Sequence, residues 1–345
     1  MHALGDEVVS GAAFFQAVQG QVPASLLLEV GSAVADSEEV LLAEVGSRVA
    51  TVKGCGEQTL LGGGKRLRPA LAVIAARATG LPFDRDKVVH VGAALEMIHM
   101  ATLVHDDVID EAQTRRGRPT ASAVYGATAA VLSGDVLLAR AMGLLATHSD
   151  IGIIQLVSRA VVELAEGEVR EIECRGDIAL SEEDHIGVLR MKTAAFIECC
   201  CRTGARMAGA DCAVEDALGE YGHNLGLAFQ VVDDLLDFRG DQAKTGKPQA
   251  TDFREGQATL PLIYLMPSLS DDESRFAADK FGNGVTDDEV RTLVSWMAER
   301  GAFDAASDRA EQFVAHAVKA LGALPLSDDR VLLETVARFV VEREA

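Results

Sequence analysis

The chain has 345 residues, 48% of them apolar, and a formal net charge of −21. Nucleic acids and anionic membranes both require a basic face, so we expect no nucleic-acid partner and no stable membrane association. Pro and aromatic residues are scarce while Ala, Leu, Val and Glu are abundant, which predicts an all-α fold. Since no linker divides the chain, we expect a single domain over residues 1–345.

The N-terminal residues 1–60 are predicted to form scaffold helices, because apolar residues recur at helical spacing over residues 14–52. The first seven residues lack the basic start and apolar block of a secretory signal. No apolar run is long enough to cross a bilayer, and the run over residues 129–146 is interrupted by charge and predicted to be a core helix. We therefore expect a cytoplasmic protein without a transmembrane segment.

A glycine-rich basic segment follows, with the sequence Gly62-Gly63-Gly64-Lys65-Arg66-Leu67-Arg68-Pro69. It predicts a turn and then a helix that begins near Arg68, since Pro fits the first helical turn. The spacing is not that of a P-loop, and no strand precedes it. Main-chain amides of the glycines would allow an anion to approach, with Lys65 and Arg68 as charge partners. The alternative is an ordinary turn with solvated cations.

Two copies of a DDxxD pattern are the most informative feature of the chain. They are Asp106-Asp107-Val108-Ile109-Asp110, near the end of a helix predicted over residues 86–111, and Asp233-Asp234-Leu235-Leu236-Asp237, in a helix predicted over residues 214–238. Residues i and i+4 of a helix share a face, so the outer aspartates of each copy form a pair. One copy alone is usually a solvated acidic face, but both of these lie in apolar runs.

Carboxylates in apolar surroundings repel one another and resist desolvation unless cations neutralise them. Oxygen-only ligands suit Mg²⁺, which shares its coordination shell with substrate phosphates. Basic residues cluster at Lys65–Arg68 and Arg115–Arg118 within an otherwise acidic chain, as an anionic substrate requires. The two motifs therefore predict magnesium-dependent chemistry on a diphosphate.

The remaining elements are predicted as helices joined by polar loops. A loop is predicted over residues 115–120. Helices are predicted over residues 127–146, 151–174 and 181–208, and a further helix begins within residues 259–266. Residues 269–345 are predicted to form peripheral helices, with helix starts at Asp271–Glu273 and Thr286–Glu289. The adjacent cysteines Cys199–Cys201 point to different sides of a helix and are interpreted as buried thiols.

The motifs in their order resemble those of the all-trans isoprenyl diphosphate synthases, most closely the longer-chain polyprenyl members. The resemblance covers residues 62–265 and is carried by seven segments: GGGKRLRP from Gly62, LVHDDVID from Leu103, RRGRPT from Arg115, MKTA from Met191, FQVVDDLLDF from Phe229, TGKP from Thr245 and ATLP from Ala258. It implies a bundle of long helices around a deep central cavity, usually as a homodimer.

The resemblance also implies the reaction. An allylic diphosphate, farnesyl or geranylgeranyl diphosphate, would ionise with Mg²⁺ bound, and the double bond of isopentenyl diphosphate would attack the carbocation before a proton is lost. The product would be an all-trans polyprenyl diphosphate, and its hydrophobic chain would allow transient membrane contact.

Individual residues take their expected roles from the same resemblance. The expected Mg²⁺ ligands are Asp106, Asp110 and Asp233, with Asp107, Asp234 and Asp237 either as further ligands or as residues behind them. The allylic diphosphate would be held by Arg115, Lys192 and Lys247. Isopentenyl diphosphate would be held by Lys65, Arg68, His99 and Arg116. Thr193 and Gln230 would lie near the developing cation. Many relatives have a Lys where this chain has Gln257, so we expect weaker allylic binding unless Arg254 compensates.

Product length is predicted from the helix face below the first motif. Thr102 and Ala101 lie four and five residues before Asp106, where short-product relatives place an aromatic floor. Beyond them lie Met97 and Ile98, and Met is a flexible obstacle. We expect roughly six to ten isoprene units, with geranylgeranyl diphosphate as the alternative, because cavity size discriminates single methylenes only weakly.

Two other classes of protein remain open at this stage. A class I terpene cyclase ionises the same kind of diphosphate, but it has no need of Lys65, Arg68 and His99 for a second diphosphate. A non-catalytic subunit of a heteromeric synthase is the other, and the two intact DDxxD motifs weigh against it.

Overall fold

The computed structural model describes residues 20–240 and 248–342, and this part of the chain is almost entirely helical. The helices of the first half are α1 (Ala24–Glu44), α2 (Ala50–Leu61), α3 (Leu67–Ala78), α4 (Arg85–Ile109), α5 (Ala121–Tyr125), α6 (Ala127–His148) and α7 (Ile151–Cys174). Those of the second half are α8 (Glu182–Leu189), α9 (Ala195–Met207), α10 (Cys212–Arg239), α11 (Thr251–Glu255), α12 (Leu260–Leu265), α13 (Asp271–Lys280), α14 (Asp287–Glu299), α15 (Ala302–Ala320) and α16 (Asp328–Val341). The predicted all-α class is confirmed.

Two local predictions differ from the structure. Residues 181–208 are not one helix, because a π-helical turn, Arg190–Ala194, separates α8 from α9. The segment predicted as a loop contains a short antiparallel ribbon of β1 (Thr114–Arg115) and β2 (Arg118–Pro119). Gly117 supplies a positive φ of 74° in the turn of this ribbon, a conformation that costs glycine little.

The helices group into two compact units. The first comprises residues up to 157 together with Cys200–Leu218 and Ala323–Thr335. Its core is α4, which packs against α6, α3 and α1 and buries most of its length. Asp84 caps the start of α4 by accepting a hydrogen bond from the Lys87 amide at 3.2 Å. Helix α4 matters most for function because it carries the first DDxxD motif at its end.

The second unit comprises Ser158–Cys199, Gly219–Gly322 and the C-terminal residues from Val336. It contains the second DDxxD motif, on α10, and the π-helical turn. Two of its peripheral helices begin with complete capping boxes, Ser270 with Glu273 for α13 and Thr286 with Glu289 for α14. These are the two helix starts predicted in the C-terminal segment.

Helices α4 and α6 are each long and apolar enough, by composition, to cross a bilayer. The most apolar window of α4 is 72% buried, so α4 is a core helix of the first unit. The corresponding window of α6 is only 39% buried. The prediction of a core helix over residues 129–146 therefore holds for one face of α6, and the other face is exposed.

Candidate active site

The glycine turn of the first unit leads directly into a cluster of guanidinium groups. Arg66 adopts a left-handed conformation, with φ of 46°, at the residue before α3. Its side chain is buried and contacts Glu38 at 2.8 Å, Glu96 at 3.4 Å and the Leu60 carbonyl oxygen at 2.9 Å. Arg66 therefore ties the turn to α1 and α4, a structural role that the sequence did not reveal.

His99, predicted to bind a diphosphate, lies on α4 among these cations. Burial and then the nearby guanidinium groups, Arg68 first and Arg116 next, hold the pKa of His99 well below its usual range. A neutral imidazole can donate one hydrogen bond to a phosphate oxygen without adding charge. The structure thus brings together His99, Arg68 and Arg116, three of the four residues predicted to hold isopentenyl diphosphate, and Lys65 lies in the adjoining turn.

Arg116 sits at the turn of the ribbon, with φ of 52°. Its guanidinium donates a hydrogen bond to the carbonyl oxygen of Gly63, so the ribbon is attached to the glycine turn. Burial and then the positive charge of Arg115 lower the pKa of Arg116. Guanidinium groups held this close together repel one another, and an anion among them would relieve that repulsion.

Glu96 is the one buried carboxylate of this cluster that sequence reasoning missed. Its side chain contacts Arg66 at 3.4 Å and raises the pKa of Arg68, opposing the effect of burial. It lies one helical turn before His99, on the same face of α4. The three-residue spacing between Glu96 and His99 was the sequence feature from which their common face could have been predicted. Glu96 supplies the negative charge that allows cations to be buried here.

The first DDxxD motif ends α4. Asp106 is partly buried and Asp110 is exposed, and the Asp110 amide donates to the Asp106 carbonyl oxygen at 2.8 Å. The last turn of α4 contains no basic residue. Carboxylates at a helix C-terminus are destabilised by the negative end of the helix dipole. This donor set therefore suits a cation.

Asp107, the middle residue of the motif, has a different environment. Its side chain is 5% exposed and accepts a hydrogen bond from Arg115 at 2.7 Å. Of the two roles predicted for Asp107, this contact favours the second, a residue behind the ligands. It also fixes the guanidinium of Arg115, which was predicted to hold the allylic diphosphate.

The residues predicted to limit product length lie on α4 before the motif. Met97, Ile98 and Ala101 are at most 2% exposed. The Thr102 hydroxyl donates to the carbonyl oxygen of His99 at 2.8 Å and is thereby held against the helix. Their role in product length stays a prediction.

The second DDxxD motif lies near the end of α10, in the second unit. Asp234 is 4% exposed and contacts His185 at 3.0 Å and the Gln230 amide nitrogen at 3.4 Å. The Thr193 hydroxyl in turn donates to the Gln230 amide oxygen at 3.1 Å. Thr193 and Gln230, both predicted to lie near the developing cation, thus belong to one hydrogen-bonded chain that ends at the motif.

Asp237 closes the second motif and caps the short helix α11. Its two carboxylate oxygens accept hydrogen bonds from the amides of Thr251 and Asp252, each at 3.1 Å. Burial, and to a lesser degree Asp234, nevertheless raise the pKa of Asp237. These contacts favour the role of a residue behind the ligands for Asp237 as well.

Lys192 lies in the π-helical turn and is held by two carboxylates. Its ammonium contacts Glu168 at 2.8 Å and also Glu171. Burial alone would lower its pKa, but these two carboxylates raise it, so Lys192 carries a stable positive charge. Glu168 and Glu171 were not predicted, although their place one turn apart on α7 was visible in the sequence.

Two glycines allow neighbouring helices to approach this π-helical turn. A Cβ on Gly167 of α7 would lie 2.6 Å from the backbone nitrogen of Lys192. A Cβ on Gly226 of α10 would lie 2.6 Å from the Cα of Ala194. No larger residue fits at either position without displacing backbone. The position of Lys192 is thus set by the close packing of α7 and α10.

The second unit concentrates negative charge around its motif. Burial raises the pKa of Glu171, and burial together with Asp237 and Asp234 raises the pKa of Asp252 well above its usual range. Burial and mutual repulsion raise these pKa values, and a bound cation would offset both effects. The residues therefore fit divalent cations, and Asp252 is a further acidic residue that sequence reasoning missed.

Two predictions concern the loop after the motif. Lys247 lies outside the described residues, so its predicted contact with the allylic diphosphate stays a prediction. Arg254 was suggested to replace the cation missing at Gln257. Its guanidinium instead contacts Asp287 at 2.6 Å and the carbonyl oxygens of Gln249 and Val285. These contacts engage the guanidinium within the protein, and compensation for Gln257 by Arg254 stays a prediction.

Comparison with known proteins identifies relatives along most of the chain. The model of the polyprenyl synthetase family matches residues 49–297. Octaprenyl diphosphate synthase of Escherichia coli is 34% identical over 304 residues, which cover 88% of this chain and 94% of that protein. Heptaprenyl diphosphate synthase component 2 of Geobacillus stearothermophilus is 34% identical over 307 residues, covering 89% and 94% respectively.

A solved structure shows the same similarity in three dimensions. The polyprenyl synthase of Caulobacter crescentus, crystallised with calcium and isoprenyl diphosphate, superimposes with a TM-score of 0.88 at 36% identity. The match covers 95% of this chain and 100% of that one. The similarity therefore extends well beyond the seven segments identified in the sequence.

Proposed function

Since the chain belongs to the polyprenyl synthetase family and is a prenyltransferase, we propose a role in chain elongation for each residue of the candidate site. Isopentenyl diphosphate is joined head-to-tail to an allylic diphosphate, giving an all-trans polyprenyl diphosphate. The observation that carries the assignment is the pair of acidic motifs, each built into a helix beside fixed cationic groups. The names of the relatives, octaprenyl and heptaprenyl synthases among them, support a long product.

In the first unit, the proposed role of Lys65, Arg68, His99 and Arg116 is to bind isopentenyl diphosphate. Their cations would neutralise its oxygens, and neutral His99 would donate a hydrogen bond. Glu96 and Arg66 would hold this cluster in place through their buried contact. Arg115, fixed by Asp107, is proposed for the allylic diphosphate, as a guanidinium presents two parallel donors to phosphate oxygens.

In the second unit, Lys192 is proposed for the allylic diphosphate, with Glu168 and Glu171 keeping it charged and oriented. Thr193 and Gln230 would present their oxygens to the allylic cation, which such neutral groups stabilise without forming a bond. Lys247 is proposed for the same diphosphate on the strength of the sequence alone.

The carboxylates proposed to hold Mg²⁺ are Asp106 and Asp110 in the first unit and Asp233 in the second, with Asp107, Asp234 and Asp237 behind them. Bound Mg²⁺ would neutralise the departing diphosphate and so make it a better leaving group. The allylic C–O bond then breaks, a C–C bond forms to isopentenyl diphosphate, and a proton is lost.

A product of 30 to 50 carbons is proposed, grown from farnesyl or geranylgeranyl diphosphate. The small side chain of Ala101 supports this length, because no aromatic ring closes that position on α4. Geranylgeranyl diphosphate as the final product is the alternative.

We further propose that the protein is a homodimer in the cytoplasm. The support is the exposed face of α5 and α6, where Leu132 is 58% exposed, Val124 50% and Val131 38%. Such a run of apolar side chains on a helix is typical of a protein–protein interface. All six cysteines carry reduced thiols, as expected in a reducing compartment. A monomeric mass by sedimentation velocity would overturn the dimer.

The experiment that tests the assignment replaces Asp106 and Asp233 separately with Asn. Each substitution removes one carboxylate ligand, so we expect turnover to fall by about 100-fold or more, with a raised Mg²⁺ requirement. Asp304→Asn, at an exposed position on α15, serves as the matched control and should leave turnover unchanged. Retention of most activity by either active-site variant would refute the proposed metal ligands.

A further inference from the structure

A small group of imidazole and carboxylate side chains lies outside the candidate active site, where α4 begins and α6 ends. It consists of Asp86 and His90 on α4 and His148, the last residue of α6. We propose that these three residues form a second metal site, which takes a transition-metal cation such as Zn²⁺ and links the two helices.

The spacing of the three side chains supports a common cation. One ligand atom from each residue lies within 4.8 Å of the other two. Asp86 and His90 are four residues apart, so they share a face of α4. Ligands of a tetrahedral Zn²⁺ ion lie about 3.3 Å apart, given metal–ligand bonds of about 2.0–2.2 Å. The Asp86 side chain is 78% exposed and that of His90 24% exposed. Small rotations of these side chains would therefore shorten the separations of up to 4.8 Å to the distance that a Zn²⁺ ion requires.

The tautomer of His90 suits metal binding. Its Nδ1 lies 2.9 Å from the backbone carbonyl oxygen of Asp86, which can only accept a hydrogen bond. Nδ1 therefore carries the proton, and the lone pair is on Nε2. The Asp86 carboxylate lies 3.7 Å from Nδ1, so the exposed side chain of Asp86 rotates to share a cation with Nε2. Histidines that bind metals commonly donate their other ring N–H to a carbonyl or carboxylate in this way, which fixes the ring.

His148 is stacked on His90, with ring centroids 4.0 Å apart and an interplanar angle of 15°. Two protonated rings at this distance would repel each other, and burial followed by the effect of His90 lowers the pKa of His148. The His148 ring is therefore available in the neutral form that binds metals. Rotation of the half-buried His148 ring about its Cβ–Cγ bond turns a ring nitrogen towards the cation.

The charges around the group are compatible with a cation. Lys87, the nearest ammonium, is 3.9 Å from the Asp84 carboxylate, and Asp86 adds a further negative charge. Two imidazoles and one carboxylate favour Zn²⁺, Cu²⁺, Ni²⁺ or Co²⁺ over Mg²⁺, which prefers oxygen alone. The site is thus chemically distinct from the two DDxxD motifs, and a water would complete a tetrahedral shell.

The test is a calorimetric titration with Zn²⁺ in excess Mg²⁺, which occupies the carboxylate motifs. We expect one saturable Zn²⁺ site in the wild type, and binding weakened at least about 10-fold in His90→Ala and in His148→Ala. His223→Ala is the matched control, since His223 has a similar exposure, 28%, but pairs with Glu198 elsewhere. The Asp106→Asn and Asp233→Asn variants should bind Zn²⁺ at this site as tightly as the wild type does.

A second measurement, of the melting temperature Tm, distinguishes loss of the metal site from poor folding of a variant. Zn²⁺ should raise the Tm of the wild type and of His223→Ala by a few degrees, because it binds the folded state. It should not do so in His90→Gln, which retains a polar side chain of similar reach. Equal Zn²⁺ binding by the wild type and both alanine variants, or no saturable binding in excess Mg²⁺, would overturn the proposal.

Discussion

The middle aspartate of each DDxxD motif is buried and directed at a neighbouring side chain. Asp107 holds Arg115, and Asp234 contacts His185 and Gln230. A buried carboxylate requires such partners to offset its desolvation. We infer that the aspartates of each motif have different roles. In the first motif Asp106 and Asp110 would bind cations while Asp107 fixes Arg115. In the second, Asp233 would bind cations while Asp234 and Asp237 contact neighbouring groups.

Ala101 provides a residue-scale prediction about product length. Ala101→Phe should shorten the product by at least one isoprene unit, because the ring closes the small space that alanine leaves on α4. The first condensation should keep its rate within about threefold, since the substitution leaves the proposed metal ligands and diphosphate-binding residues in place. Mass analysis of the products measures both effects.

Ala93→Ser is a mild control on the same helix, three turns from the motif and also buried. It should leave the product distribution unchanged. If Ala101→Phe gave the same products as the wild type, the growing chain would not follow this face of α4.

At the scale of elements, the π-helical turn that carries Lys192 depends on Gly167. Gly167→Ala should destabilise the protein by about 1–3 kcal/mol, because its methyl group would overlap the Lys192 backbone. It should also raise KM for the allylic diphosphate, as Lys192 shifts. Thermal unfolding and steady-state kinetics measure the two effects.

Gly187 provides the matched control for that substitution. It lies within α8, and a Cβ there would meet nothing within 4 Å. Gly187→Ala should therefore be neutral or stabilise by up to about 1 kcal/mol. Similar behaviour of the two variants would show that close packing does not set the position of Lys192.

The capping boxes of α13 and α14 make stability depend on pH. Contacts with Arg300 and then Ser270 lower the pKa of Glu273 to about 2, and contacts with Lys280 and then Thr286 lower that of Glu289 to about 2. A lowered pKa in the folded state adds stability above the unfolded value of 4.5, and that stability is lost as pH falls towards about 2.

Trp296, the single tryptophan, reports on these helices because it packs on Phe276. Followed by its fluorescence, the Glu273→Gln/Glu289→Gln variant should melt about a degree below the wild type at pH 7. The difference should close as pH falls from about 4.5 towards 2. Glu311→Gln, at an exposed position, is the control. A difference that persisted at the lowest pH would contradict this account.

Elements whose structure is set by local sequence were predictable. The bounds of α7 agree with prediction at both ends, and both capping boxes begin helices where the acidic residues indicated. The π-helical turn was not predictable, because it arises where Gly167 and Gly226 bring other helices close. The ribbon beside the glycine turn was missed for the same reason, since its Arg116 is held by the distant Gly63.

In the candidate site, too, only the features set by local sequence were predictable. The chemical types of its residues, aspartates, arginines and a histidine, were recognisable from spacing and from family resemblance. Their supporting residues were not, because Glu96, Glu168, Glu171 and Asp252 act through contacts made only after folding. The divided roles of the aspartates within each motif also required the structure.

For the whole molecule, a net charge of −21 coexists with an anionic substrate because positive charge is local. Guanidinium groups gather around His99 in the first unit, and Lys192 lies beside the acidic motif of the second. Because the chain as a whole is strongly acidic, we expect no nucleic-acid partner. In the proposed function, recognition of diphosphate therefore depends on a few fixed cations and on bound metal.

We expect the purified protein alone to elongate an allylic diphosphate with isopentenyl diphosphate. The most direct measurement incubates it with Mg²⁺ and farnesyl diphosphate, with and without isopentenyl diphosphate, and identifies the dephosphorylated products by mass. The account predicts prenyl alcohols of 30 to 50 carbons only when isopentenyl diphosphate is present. A hydrocarbon formed from the allylic diphosphate alone would indicate a terpene cyclase, and elongation only after adding a second protein would indicate a subunit of a heteromeric synthase; either result would contradict the account.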